Sequence, residues 1–259
     1  MRFGVCGNEK MALRAAAAGF DYLETTVGGL LKPKEDDAVF KEALALMRDT
    51  GLPCEVVNCL MPGRDLKITG PDVDPDALRS YLDITLSRAA AAAVQIAVFG
   101  SGGAREIPEG FDREAAHEQL LAFSSMAGAM AGAHGVTIVL EPLRKQDCNV
   151  LTTVAECARL VREVNHPNFR LLVDSYHFMA DRDSYQSIID NGDLFAHVHV
   201  ATAENRRAPG GEPCDLSAYF NALTQGGYNA RVSIEATIEP DEDLAPALAL
   251  MKAYCHGTA

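Results

Sequence analysis

The feature that most constrains this chain is an eightfold alternation of a short, β-branched run with a longer amphipathic stretch. Such pairs fold as βα units of a parallel sheet, because a parallel pairing needs a crossover of a dozen or more residues and a helix is the compact way to make it. The strand runs are 2–7, 22–27, 54–60, 94–100, 136–142, 170–175, 196–202 and 231–237. The helical stretches are 9–18, 37–49, 75–92, 113–133, 154–164, 185–190, 217–225 and 244–254. Asp112 and Thr153 stand where N-caps belong, and Gly19, Gly51 and Gly135 follow helices where a left-handed cap costs little. Eight units in 259 residues leave no room for a second domain, and no Pro/Gly/Ser-rich linker divides them. The expectation is an α/β protein, a single (β/α)8 TIM barrel over residues 1–259.

Charge narrows the function. The formal net charge of -13 repels phosphate backbones, and no basic patch offsets it, so a nucleic-acid partner is not expected. A small molecule is the expected partner. The seven cysteines show no CxxC spacing and are odd in number, which suits reduced thiols and argues against a zinc knuckle or a disulfide framework. The N-terminal residues lack the basic and apolar segments of a signal peptide, and no apolar run approaches ~18 residues. These observations predict a cytoplasmic protein that does not enter a membrane. They leave open whether it forms a homo-oligomer.

In a barrel of this kind the chemistry gathers at the C-terminal ends of the strands. The fifth run ends at Glu141, the sixth at Asp174, the seventh carries His197 and His199, and the eighth carries Glu235. Any one of these acids alone reads equally well as a buried carboxylate paired with a basic neighbour. Three carboxylates and an imidazole at one mouth repel unless a cation balances them, and a divalent metal does so. The oxygen-rich set favours Mn2+, with Mg2+, Co2+ and Zn2+ as alternatives. His197 and His199 share a face, and His199, nearer the mouth, is the expected ligand. His197 is read as a hydrogen-bond partner beneath the site or a satisfied core histidine.

The segments Phe99-Gly100-Ser101-Gly102-Gly103, Leu140-Glu141-Pro142-Leu143, Val173-Asp174-Ser175-Tyr176-His177, His197-Val198-His199, Asn205-Arg206-Arg207-Ala208-Pro209-Gly210 and Ser233-Ile234-Glu235-Ala236 follow one another in an order that spans most of the chain. In that order they resemble the xylose-isomerase-like barrel superfamily of sugar isomerases and epimerases, which includes D-tagatose 3-epimerase and hydroxypyruvate isomerase. The resemblance implies that Glu141, Asp174, His199 and Glu235 bind the metal and that His177 and Arg206 contact substrate. It implies that Glu141 and Glu235 move the proton. Asp147 stands where several relatives carry a glutamate facing the substrate, and its side chain is shorter.

Three other functions stay open at this level. A lyase on the same scaffold would expel water or cleave a carbon-glycoside from an enediolate, the kind of intermediate that isomerisation or epimerisation would also pass through. An apurinic-endonuclease-like hydrolase would need further histidines, and Asn58 and Gly100-Ser101 occupy the strand ends where they belong. A non-catalytic sugar-binding barrel would not need the four ligands.

Overall fold

Most strand residues are apolar and buried on both faces, inward against the barrel interior and outward against helices. The computed structural model describes residues 1–61 and 63–257. The span expected from the sequence also includes Pro62, Thr258 and Ala259, which lie outside the described residues. Eight parallel strands close into a barrel in chain order: β1 (Arg2–Cys6), β2 (Tyr22–Thr26), β3 (Cys54–Asn58), β4 (Ile96–Phe99), β5 (Thr137–Leu140), β6 (Phe169–Asp174), β7 (Phe195–Val200) and β8 (Arg231–Ile234). β8 returns to β1, with Phe3 opposite Val232 and Gly4 opposite Ser233. The fold is the (β/α)8 TIM barrel.

Helices α1 (Glu9–Ala18), α3 (Asp37–Asp49), α4 (Pro75–Ala91), α6 (Arg113–Ala133), α7 (Val154–Val164), α9 (Tyr185–Asp190), α10 (Ser217–Gln225) and α11 (Ala245–His256) are the crossover elements read from the sequence, two of them with slightly shifted ends. Among the described residues three short α-helices, besides a 3-10 turn at Gly192–Leu194, are additional to that reading: α2 (Val27–Leu30), α5 (Gly102–Arg105) and α8 (Ser175–Ala180). α2 and α8 start directly after strand ends, and α5 starts three residues beyond one, after Gly100 and Ser101. Each adjoins a strand run, so its few residues do not stand out as a separate helical stretch. The strands also stop one to three residues before the runs do, because the chain leaves the ladder where its polar groups turn into the mouth. The expected caps are present: Asp112 accepts from Ala115 N at 2.9 Å, Thr153 accepts from Glu156 N at 3.2 Å, and Gly19 is left-handed at φ 87°.

Two apolar layers result. The larger lies between barrel and helices; the smaller lies inside the barrel and joins Tyr22, Val56, Ile96, Val98, Val139 and Leu172. Strand alternation places the polar residues of the mouth directly above this inner layer: Glu24 follows Tyr22, Asn58 follows Val56, Glu141 follows Val139 and Asp174 follows Leu172 at a spacing of two. The Tyr22 ring lies across Gly4, where any Cβ would overlap it, and its hydroxyl meets Ser233 Oγ at 2.9 Å. Gly4→Ala is therefore expected to overpack the barrel interior and to cost about 1–3 kcal/mol in a urea unfolding experiment. An unchanged midpoint would show that Tyr22 can move aside freely.

Candidate active site

Parallel closure brings the C-terminal strand ends to one mouth. Asp174 ends β6, His199 lies one residue before the end of β7, and Glu141 and Glu235 directly follow β5 and β8. One potential ligand atom from each of these four lies within 4.8 Å of the others. Asp174 and His199 are fully buried, Glu141 nearly so, and the Glu235 side chain keeps 24% of its surface. The cluster is thus open on the Glu235 side.

Local structure aims each group. Asp174 caps α8, its Oδ1 accepting the backbone N–H of Tyr176 at 2.9 Å, which turns Oδ2 toward the cluster. Glu141 is held from behind by Arg105, a fully buried guanidinium that donates to the Glu141 carbonyl at 2.8 Å and to the Phe99 and Leu151 carbonyls at 3.4 Å. Its carboxylate lies over Gly100, where a Cβ would overlap Oε2. His199 presents Nδ1 to Glu235 Oε2 at 3.1 Å and Glu141 Oε1 at 3.3 Å, and turns Nε2 to Glu24 Oε1 at 2.8 Å.

The two substrate-contact candidates, His177 and Arg206, both reach this cluster. His177 is buried on α8, with Nε2 3.7 Å from Asp174 Oδ2. Its Nδ1 accepts the backbone N–H of Arg144 at 3.5 Å, so in the neutral ring the proton sits on Nε2 and faces the mouth. Arg206 donates to Asp174 Oδ2 at 3.2 Å and to Glu235 Oε2 at 2.5 Å, with its guanidinium 4.7 Å above the Tyr176 ring. Its backbone is left-handed at φ 52°, a strained choice for arginine that a turn enforces. Thr202 N–H donates to Arg207 O at 2.9 Å, Arg207 N–H to Thr202 Oγ1 at 2.8 Å, and Thr237 N–H to Arg206 O at 2.7 Å. Arg207 points away, to Glu239 and Glu242. Asp147 stands apart from the cluster at the rim, bound by Arg144 at 2.7 Å and 3.7 Å from His177 Nδ1.

The residue that sequence reasoning passed over is Glu24, fully buried in β2. It binds His199 and also His197, whose Nε2 lies 2.9 Å from Oε2; Asn58 Nδ2 donates to Oε1 at 3.1 Å. His197 therefore sits beneath the site and touches it through Glu24. The available signal was the acid itself in the run Tyr22-Leu23-Glu24-Thr25-Thr26, since a carboxylate inside a strand must find partners.

The electrostatics are strained in one direction. Burial, reinforced by the charge of Glu235, pushes the Glu141 and Asp174 carboxyls above their usual range. Burial acts on Glu235 too, but His199 and Arg206 outweigh it and hold that group low. Burial opposes charge on His199, yet Glu24 and Glu235 raise it well above an ordinary histidine. Three carboxylates thus share two cations, and a divalent ion fits: the donors are three oxygens and one nitrogen, and the glycine at position 100 leaves space for Glu141 to reach them.

A closed parallel barrel carrying a carboxylate–imidazole cluster at its C-terminal mouth is the architecture of a TIM-barrel enzyme with a metal-type donor set. Residues 12–254 match the xylose isomerase-like TIM barrel model, and the chain belongs to that family. L-ribulose 3-epimerase of Methylomonas sp. (strain DH-1) is 25% identical over 238 residues, covering 90% of this chain and 80% of that protein. D-psicose 3-epimerase of Ruminiclostridium cellulolyticum is 26% identical over 229 residues, covering 86% and 75%. The structure of apo 3-keto-D-glucoside 4-epimerase from E. coli superimposes with a TM-score of 0.79 at 22% identity, covering 98% of this chain and 99% of that one, a likeness of fold.

Gly100→Ala tests the packing around Glu141. The added methyl must displace the carboxylate from its present position, and Mn2+ affinity measured by calorimetry is expected to fall about 10-fold or more while the circular dichroism spectrum is unchanged. Unaltered affinity would mean that this position of Glu141 is not the binding one.

Proposed function

We propose that this chain is a divalent-metal-dependent epimerase or isomerase of a small keto-sugar or related hydroxy-carbonyl compound. The observation that carries the reading is the convergence of Glu141, Asp174, His199 and Glu235 within 4.8 Å, with the two glutamates arriving from different strands. The sugar epimerases among its relatives support the same reading. Glu141, Asp174, His199 and Glu235 would hold the ion, Mn2+ being favoured by a donor set of mostly oxygen. Once bound, the ion would supply Lewis-acid polarisation of a carbonyl and so acidify the neighbouring C–H.

The chain's own groups then divide the work. Glu141 and Glu235 each have two carboxylate oxygens, so each can keep one for binding and use the other to take or return a proton. Transfer off one face and back onto the other epimerises; transfer between adjacent carbons isomerises. His177 donates from Nε2 to a substrate oxygen, and Arg206 fixes a hydroxyl or an anionic group. Asp147 accepts from a hydroxyl at the rim. Among the described residues no helix is long and apolar enough to cross a membrane. All seven cysteines are free thiols, as a cytoplasmic setting would keep them.

A panel of ketoses incubated in D2O and followed by NMR tests the proposal. Deuterium should enter at a carbon next to the carbonyl, stop on chelation and resume with Mn2+. Glu141→Gln and Glu235→Gln should each slow exchange about 100-fold or more with little change in thermal unfolding. Loss of water from the substrate would move the protein to the lyases, and full exchange in both variants would remove the two-glutamate assignment.

A further inference from the structure

Resting on the metal-site reading above, we propose that Glu24 is a positioning residue for that site: it accepts the Nε2–H of His199 and thereby leaves the Nδ1 lone pair facing the ion. An imidazole has two nitrogens, and which one is free to ligate depends on what the other one binds. Around His199 the two sides compete. To ligate, the His199 cation must give up one of its two ring protons, and the carboxylates of Glu235 and Glu141, at 3.1 and 3.3 Å from Nδ1, favour keeping the proton there, which is the tautomer that cannot ligate. Against them stands Glu24 Oε1, at 2.8 Å from Nε2 and with a shorter contact.

Glu24 is itself fixed in place by neighbours on other strands. His197 Nε2 meets its Oε2 at 2.9 Å, and Asn58 Nδ2 donates to its Oε1 at 3.1 Å. Among the described residues the buried Nδ1 of His197 has no hydrogen-bond partner, so the ring's single proton belongs on Nε2, between Glu24 and Ser233 Oγ at 3.3 Å. Tyr22 anchors that serine at 2.9 Å. A chain of side chains from β2, β8 and β7 therefore ends on one carboxylate, and its Oε1 points at the distal nitrogen of the candidate ligand. Glu24 and both histidines are fully buried, out of reach of bulk solvent, so each hydrogen bond among them is made in a low-dielectric setting.

The test measures binding and tautomer. Wild-type protein is titrated with Mn2+; no binding there defeats the metal-site reading itself, and the present one with it. Given wild-type binding, Glu24→Gln should weaken Mn2+ affinity about 10–100-fold, because an amide cannot accept from both imidazoles. Affinity within about threefold of wild type overturns the proposal. Nitrogen-15 spectra of histidine-labelled protein loaded with diamagnetic Mg2+ supply a readout that bulk destabilisation does not move. Wild type should show His199 protonated on Nε2 and bare on Nδ1, and the reverse overturns the proposal even where Glu24→Gln does not fold. A folded Glu24→Gln protein that loses affinity but keeps the wild-type His199 signals would also overturn it.

Discussion

The pairing of β8 with β1 is the constraint on which the rest depends. Without it, the strands form an open sheet and their inward faces do not meet. With it, side chains from eight strands share one interior, and alternation sorts them into levels. The lower level is apolar and held by Tyr22, Val56, Ile96, Val98, Val139 and Leu172, with Gly4 leaving room for the Tyr22 ring. The level above carries Glu24, Asn58, Glu141, Asp174 and His199. Closure therefore concentrates acids that an open sheet would have spread out.

That concentration has to be offset, and the barrel does so with few cations and many oriented donors. Glu24 is held well below the usual carboxylate range although burial opposes it, because the charge of His199 and hydrogen bonds from both His199 and His197 outweigh the burial. Arg206 is placed between Asp174 and Glu235 by a turn that holds it left-handed. Arg105 acts on the backbone instead. It spans three carbonyls, at the end of β4, just past β5 and in the following loop, and so fixes the segment from which Glu141 projects. Breaking either kind of support would leave a buried charge uncompensated, a far larger cost than losing an exposed pair such as Lys34–Asp65.

What is legible in the sequence follows from the range of the interactions. The eight units can be read because period and length are local properties. The four ligand candidates can be read because a polar residue that ends an apolar run in a barrel turns into the mouth. Sequence prefers His199 over His197 on depth alone, and the geometry gives that preference a physical basis, since His199 Nδ1 meets the carboxylates while His197 meets Glu24. Glu24 is not legible as a partner of the histidines, because they lie 173 and 175 residues away on β7. Arg105 reads locally as one more charged residue after a glycine-rich turn, and only the fold shows it buried. The short helices α2, α5 and α8 leave no trace in the pattern because they adjoin strand runs and do not stand out as separate segments, unlike the similarly short α9, which lies apart from any strand run.

The residues at the mouth are held in two different ways. Asp174 and His199 are fixed by strand ladders, and Glu141 and Glu235 sit one residue beyond them, so their spacing is set by barrel geometry and cannot drift without opening the sheet. Arg206 and Asp147 sit in loops whose shape depends on a few turn contacts, among them Thr202 with Arg207 and Arg144 with Asp147. His177 lies between the two cases, on a helix that Asp174 itself caps. A change of substrate on this scaffold is therefore easiest through the loops, whereas a change of reaction must alter residues that the barrel holds rigid. Glu24 belongs to the rigid group, because it is the link through which the interior of the barrel reaches His199.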